Sequence, residues 1–395
     1  MNGDLFLYNT ASHEKERVEE QDIGIYVCGV TPYDTTHLGH AFTYVAFDAM
    51  IRYLRFIGRR VTYVRNVTDI DDDVLLRAKS TGVDWKELGD REFGKFVEDM
   101  RRINNVPPEV EPRATGHIPE IVGITEGLLQ KGLAYEGQGS VYFEVRKYPA
   151  FGKLFRQPYD AMLEVANERG NFPADPLKRD PLDFVLWQAK KEGEPSWASP
   201  WGEGRPGWHI ECSAMSMKYL GDSFAIHGGG DDLVFPHHDC EIAQAEAYTG
   251  KRFVRYWSHT AMVYCGEHKM SKSLGNMVFV RELLDRCTAD SIRLYLLSHH
   301  YRQVWNHPRD ADLPTRGLSR GLATALAGAG EASQDEIERY GKQFLAAMED
   351  DLNTPQAIRE LEALAGSGEA SARRTARTLG GRVLGLTFEV DRRNP

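Results

Sequence analysis

A chain of 395 residues, 42% hydrophobic and 10% aromatic, has the make-up of a folded protein and exceeds what one compact core usually holds, so two or three domains are expected. Its apolar runs fall far short of the ~20 residues a membrane span needs, and the polar start MNGDLFLYNTASHEKERVEE has no signal-peptide core, which makes cytoplasmic the expected location. A formal charge of −10 argues against a large nucleic-acid footprint while leaving room for a local basic groove.

In chain order, GIYVCGV (24–30) is a short apolar run of strand type. From His40 the apolar residues Phe42, Val45, Ala46, Ala49, Met50, Tyr53, Leu54 and Ile57 recur at helical spacing, and Gly58 stops the helix. RVTYVRNVT (60–68) reads as a second strand. Strand, helix and strand make a βαβ unit whose ligands sit at the carboxyl ends of the strands, so the HLGH turn (37–40) lies where a ligand should bind. Residues from about 110 to 200 contain a hairpin-like GLAYEGQGSVYFEVRKY and two loop-rich stretches, and read as an insertion. FAIHGGGDDL (224–233) returns to a strand and a glycine turn. After about residue 300 helices dominate: Ser333 and Glu336 form a capping box, Pro355 takes the first position of another helix, and AGSGEASARR (365–374) is expected to be a flexible joint.

Four segments carry chemistry. In HLGH, Gly39 lets a ligand approach the backbone, and His37 and His40 can donate to charge building on a phosphoryl group. Taken alone, the tetrapeptide reads more readily as an ordinary helix start. KMSKS (269–273) suits a loop closing on a polyphosphate through Lys269 and Lys272, with a solvated basic turn as the plain reading. In HGGGDD (227–232) the glycines let a base or ribose lie against the backbone, and Asp232 can accept from hydroxyls. Finally, Cys212 in GWHIEC, His237 and Glu241 four residues apart in a helix starting at Pro236, and Cys28 give S, S, N and O donors, a mix that suits tetrahedral zinc. Five scattered cysteines do not make a disulfide framework. Cys240 is expected to be a packed thiol.

The four segments stand in one order with CGVTPYD, NVTDIDD, GEPSWASPWGEGRPGWHIEC and DDLNTP. From about residue 5 to residue 365 the chain thereby resembles the class I cysteinyl-tRNA synthetases and their relative MshC, the mycothiol-pathway ligase. The resemblance implies an α/β fold: a Rossmann-like (HUP-type) catalytic domain over 1–110 and 200–300, a connective insertion over 111–199 and a C-terminal helical bundle over 301–395. It implies one zinc per chain on Cys28, Cys212, His237 and Glu241, binding the thiolate of substrate cysteine. Thr31, Trp208 and His227 would line the amino-acid pocket. Gly39, Gly228, Gly229, Gly230 and Asp232, with Ser271 and Ser273, would hold ATP and its Mg2+. His37, His40, Lys269 and Lys272 would be catalytic.

Both relatives form cysteinyl-adenylate and release diphosphate; they differ in the acceptor. CGVTPYD has the proline placement of MshC, NERGNFPADPLKRDP resembles its counterpart there, and residues 274–395 leave no room for an anticodon-binding module. The near-balanced charge after residue 313 supplies no evident phosphate-binding face. The expected acceptor is therefore the amine of glucosaminyl-inositol, with tRNA as the alternative. Glu241 matches the synthetases better. A non-catalytic cysteine sensor is disfavoured, because the signature residues are all present.

Overall fold

The computed structural model describes residues 3–34, 36–266, 268–270, 276–308 and 312–389. A four-stranded parallel sheet organises the catalytic part. Its strands are β1 (Asp22–Val30), β2 (Arg60–Val67), β3 (Phe224–Gly230) and β4 (Val254–Thr260), in the order β4-β3-β1-β2. Helix α1 (Leu38–Phe56) crosses from β1 to β2; α2 (Trp208–Leu220) precedes β3, and α3 (Asp239–Thr249) leads from β3 towards β4. The strands adjacent at the centre, β1 and β3, send their chains to opposite sides, so a crevice opens beyond their carboxyl ends.

Side chains alternate across β1 and sort the chemistry. Ile23, Ile25 and Val27 face α1 in a large aliphatic core. Tyr26 and Cys28 face the other way, among Cys212, Met215, Phe224, Ile242 and Trp257. Parallel register puts His227 beside Tyr26 and Trp257 on that same face. The alternation thus separates a packing face from a sulfur- and imidazole-lined one.

The insertion forms its own antiparallel four-stranded sheet: Ala134–Gly137, Ser140–Phe143, Phe184–Ala189 and Gly204–Pro206. Its apolar core is separate and ends against Phe235, Cys240 and Ala243. The helices Gln334–Tyr340, Lys342–Glu349, Thr354–Ala365 and Ala370–Arg382 have no separate core: Phe344, Leu361 and Leu379 join the aliphatic core that contains Tyr53 and Leu54 of α1. The capping box is present, with Ser333 Oγ accepting from the Glu336 amide and Glu336 accepting from the Ser333 amide. The joint expected at 365–374 is shorter. Residues 366–369 turn, and from Ala370 the chain is helical, because Ala372, Ala376 and Leu379 recur at helical spacing and bury one face. No helix among the described residues is long and apolar enough to cross a membrane.

Candidate functional site

The crevice is a cavity of about 640 Å3 lined by residues from both halves of the sheet, among them Cys28, Thr31, His37, His40, Trp208, Cys212, Asp232 and His237. Cys28 stands near the end of β1, and after the turn α1 begins with His37 as its N-cap. The ring Nδ1 of His37 accepts from the amides of Gly39 and His40 at 3.1 and 3.4 Å. That bond turns the ring back over the helix start, where it stacks on His40 with centroids 3.7 Å apart. A Cβ on Gly39 would sit 3.0 Å from the His37 ring, so any larger residue would make the ring give way. Two imidazoles at the positive end of a long helix therefore line the cavity, an arrangement suited to an anion.

Cys28, Cys212, His237 and Glu241 offer one ligand atom each, all within 4.8 Å of one another. Cys28 Sγ lies 4.0 Å from Cys212 Sγ and 3.8 Å from Glu241 Oε1, and His237 Nε2 lies 3.1 Å from Glu241 Oε1. A second grouping, Cys28, His227, His238 and Glu241, is equally compact. Cys28, Cys212 and His237 line the cavity, whereas His227, His238 and Glu241 do not. Only the first set combines a wall of ligands with an open side, which a substrate-binding metal requires. His227 and His238 are fully buried behind it, within 3.5 and 3.4 Å of Cys28 Sγ.

The donor set fits a metal on an observation of its own. Glu241 is completely buried, and its Oε2 has no hydrogen-bond partner. Burial pushes the Glu241 carboxyl well above its ordinary range. It pushes the Cys28 thiol up as well, while a hydrogen bond from Cys28 holds Cys212 down. Cys28 directs its thiol proton towards Cys212 Sγ. A divalent cation would replace that proton and satisfy the stranded oxygen. His237 turns its Nδ1 to His209 Nδ1 at 2.9 Å and stacks on Trp208 at 4.3 Å, which orients Nε2 towards the other ligands.

Among the residues expected to hold nucleotide, Gly39, Gly230 and Asp232 line the cavity. Gly228 and Gly229 do not, and both are glycine for packing reasons. A Cβ on Gly228 would lie 2.0 Å from the Phe47 ring of α1, and one on Gly229 would lie 2.8 Å from Leu233. At Gly230 the missing side chain leaves room for Asp232, whose Oδ1 lies 2.5 Å from where a Cβ would stand. Thr31 and Trp208 line the cavity; His227, expected beside them, lies beneath Cys28. The backbone of Lys269 pairs with Tyr264. Ser271, Lys272 and Ser273 lie outside the described residues.

Asn66 and Thr68 from NVTDIDD (66–72) and the next residue, Asp73, also line the cavity. Asn66 Oδ1 accepts from the Gly29 amide at 2.7 Å and so fixes the turn after Cys28. Polar residues ending an otherwise apolar strand were the available signal. Cys240, Cys265 and Cys287 are buried and outside any disulfide, and Cys240 sits in the insertion core.

The family model described as tRNA synthetases class I (C) catalytic domain matches residues 14–313. An Idiomarina loihiensis protein named cysteine--tRNA ligase is 47% identical over 361 residues, covering 90% of this chain and 78% of its own. One of the same name from Alkalilimnicola ehrlichii is 46% identical over 399 residues, covering 97% and 85%. Among solved structures, Mycobacterium tuberculosis methionyl-tRNA synthetase in complex with methionyl-adenylate superposes with a TM-score of 0.65 at 15% identity, covering 93% and 92%; this likeness speaks to the fold.

Proposed function

The chain belongs to the class I (C) tRNA synthetase family, a family of AMP-forming ligases, and we propose that it activates L-cysteine with ATP and passes the cysteinyl group to tRNA. One observation carries the reading: a soft metal-ligand set and an anion-facing helix start open onto the same cavity. Cys28, Cys212 and His237, with Glu241, would hold zinc, which when bound supplies a soft site for the substrate thiolate. A hydroxyl competes poorly for such a site, so serine is rejected without a second, editing pocket.

Thr31 and Trp208 flank the amino-acid end of the cavity. The cysteine carboxylate oxygen forms the new bond to the α-phosphorus, the bond to the β-phosphate oxygen breaks, and diphosphate leaves. His37 and His40, at the positive end of α1, donate to the oxygens that gain charge. Asp232 accepts from the ribose hydroxyls, and Lys269 and Lys272 meet the departing diphosphate and its Mg2+. An acceptor nucleophile then attacks the adenylate carbonyl carbon and AMP leaves.

The names of the relatives support tRNA as acceptor over glucosaminyl-inositol. The second reading rests on CGVTPYD and NERGNFPADPLKRDP. The test offers tRNA and glucosaminyl-inositol in parallel to enzyme, ATP, Mg2+ and cysteine, and reads the products by mass spectrometry. Cysteinylated tRNA supports the proposal; cysteinyl-glucosaminyl-inositol with uncharged tRNA overturns the acceptor.

A further inference from the structure

The turn between β3 and α3 carries residues from both halves of the site: Asp232 on the nucleotide side and His237 on the metal side. The sheet does not hold this turn alone. The insertion helix Tyr159–Glu168 ends at Arg169, whose guanidinium Nη1 donates to the Asp232 carbonyl at 2.5 Å and also to the Phe235 carbonyl. The Phe235 ring stacks on Phe155 at 5.0 Å and meets Phe151 edge-on at 5.8 Å. One turn further on, Asp239 accepts from the Leu154 and Phe155 amides at 3.0 and 2.9 Å. Every one of these partners comes from the insertion.

We infer that Arg169 is a positioning residue for nucleotide binding, acting through the main chain of the turn that presents Asp232 to the cavity. The inference rests on the proposed adenylate chemistry. Arg169 does not line the cavity, so it touches neither substrate. A guanidinium can hold two carbonyls at fixed separation, which an ammonium on a flexible stem does poorly. With the clamp gone, Asp232 loses its fixed place, while His237 keeps its bond to His209 and its stacking on Trp208. The effect should therefore fall on ATP rather than on the metal.

The experiment compares wild type, Arg169→Ala and Arg169→Lys in cysteine-dependent ATP–diphosphate exchange, with zinc content and Tm measured on the same preparations. Losing two charge-assisted hydrogen bonds should raise KM for ATP about tenfold in Arg169→Ala. KM for cysteine, zinc per chain and Tm should stay close to wild type. Arg169→Lys should recover little, and guanidinium ion at millimolar concentration should restore ATP affinity to Arg169→Ala but not alter wild type. An unchanged KM for ATP, or a fall in kcat alone that tracks a lowered Tm and is not rescued, overturns the inference. Absence of cysteine-dependent exchange in wild type would instead overturn the underlying reading.

Discussion

The Leu38 amide donates to the Val278 carbonyl at 2.8 Å, and the Val280 amide donates back to the Thr36 carbonyl at 3.2 Å. His37 and Phe279 thus form an antiparallel bridge. The helix start that carries His37 and His40 is therefore stitched to the segment that follows KMSKSLGN. At the start of that motif, the backbone of Lys269 pairs with Tyr264 in a short strand. The described residues before and after 271–275 thus pair beside the cavity, which Met270 and Met277 line.

Lys272→Ala should accordingly slow adenylate formation about a hundredfold, as expected for removal of one charge from the transition state. Zinc content should be unchanged, because no ligand is touched. Single-turnover adenylate formation by quenched flow, with metal analysis on the same sample, checks both. Unaltered turnover would remove the lysine from the mechanism.

Cys212→Ser exchanges a buried sulfur donor for a poorer hydroxyl ligand. Bound zinc should fall from about one per chain to near zero, together with cysteine-dependent exchange. Metal analysis after dialysis reads the first and isotope exchange the second. A variant that loses zinc but keeps full exchange would separate the metal from the chemistry.

Gly228→Ala places a methyl 2.0 Å from the Phe47 ring, which is itself buried against the sheet. Overpacking of this kind costs about 1–3 kcal/mol, so urea unfolding should show the midpoint lowered with the slope unchanged. Adding Phe47→Leu should recover part of the loss. If the double variant is no more stable than Gly228→Ala, the clash is not the cause.

Glu336 is held down to about 2 from an ordinary 4.5, chiefly by its bond to Arg374 and then by Ser371 and the Ser333 amide. With the folded value depressed, the unfolded chain binds a proton that the folded chain refuses between pH 4.5 and 2. The resulting stability is complete above that window and is lost as pH falls through it. Glu336→Gln should lower Tm at neutral pH and flatten its fall across the window. Equal slopes in the two proteins would contradict the assignment.

Much of the site was legible because its chemistry depends on residue type and local spacing. Glu241 follows His237 by one helical turn, and Cys28 sits on a strand whose alternation can be read directly. The βαβ unit around α1 followed from apolar periodicity alone. What could not be read was depth. His227 stands in the same tripeptide-rich strand as Gly230, yet register puts it under Cys28 rather than in the cavity. Gly228 looked like a ligand-facing glycine, but its partner is Phe47, remote in sequence. The same holds for Arg169: nothing in NERGNFP announces two carbonyls more than sixty residues away. The helices after residue 300 were recognisable from caps and spacing, while their merger with the core beneath α1 depended on tertiary packing.

The most direct test of the account is amino-acid-dependent ATP–diphosphate exchange by the zinc-loaded protein, with cysteine and serine compared at equal concentration. The account predicts exchange with cysteine, at least about a hundredfold weaker exchange with serine, and loss of the cysteine signal in Cys212→Ser. Comparable exchange with serine, or none with cysteine, would contradict it.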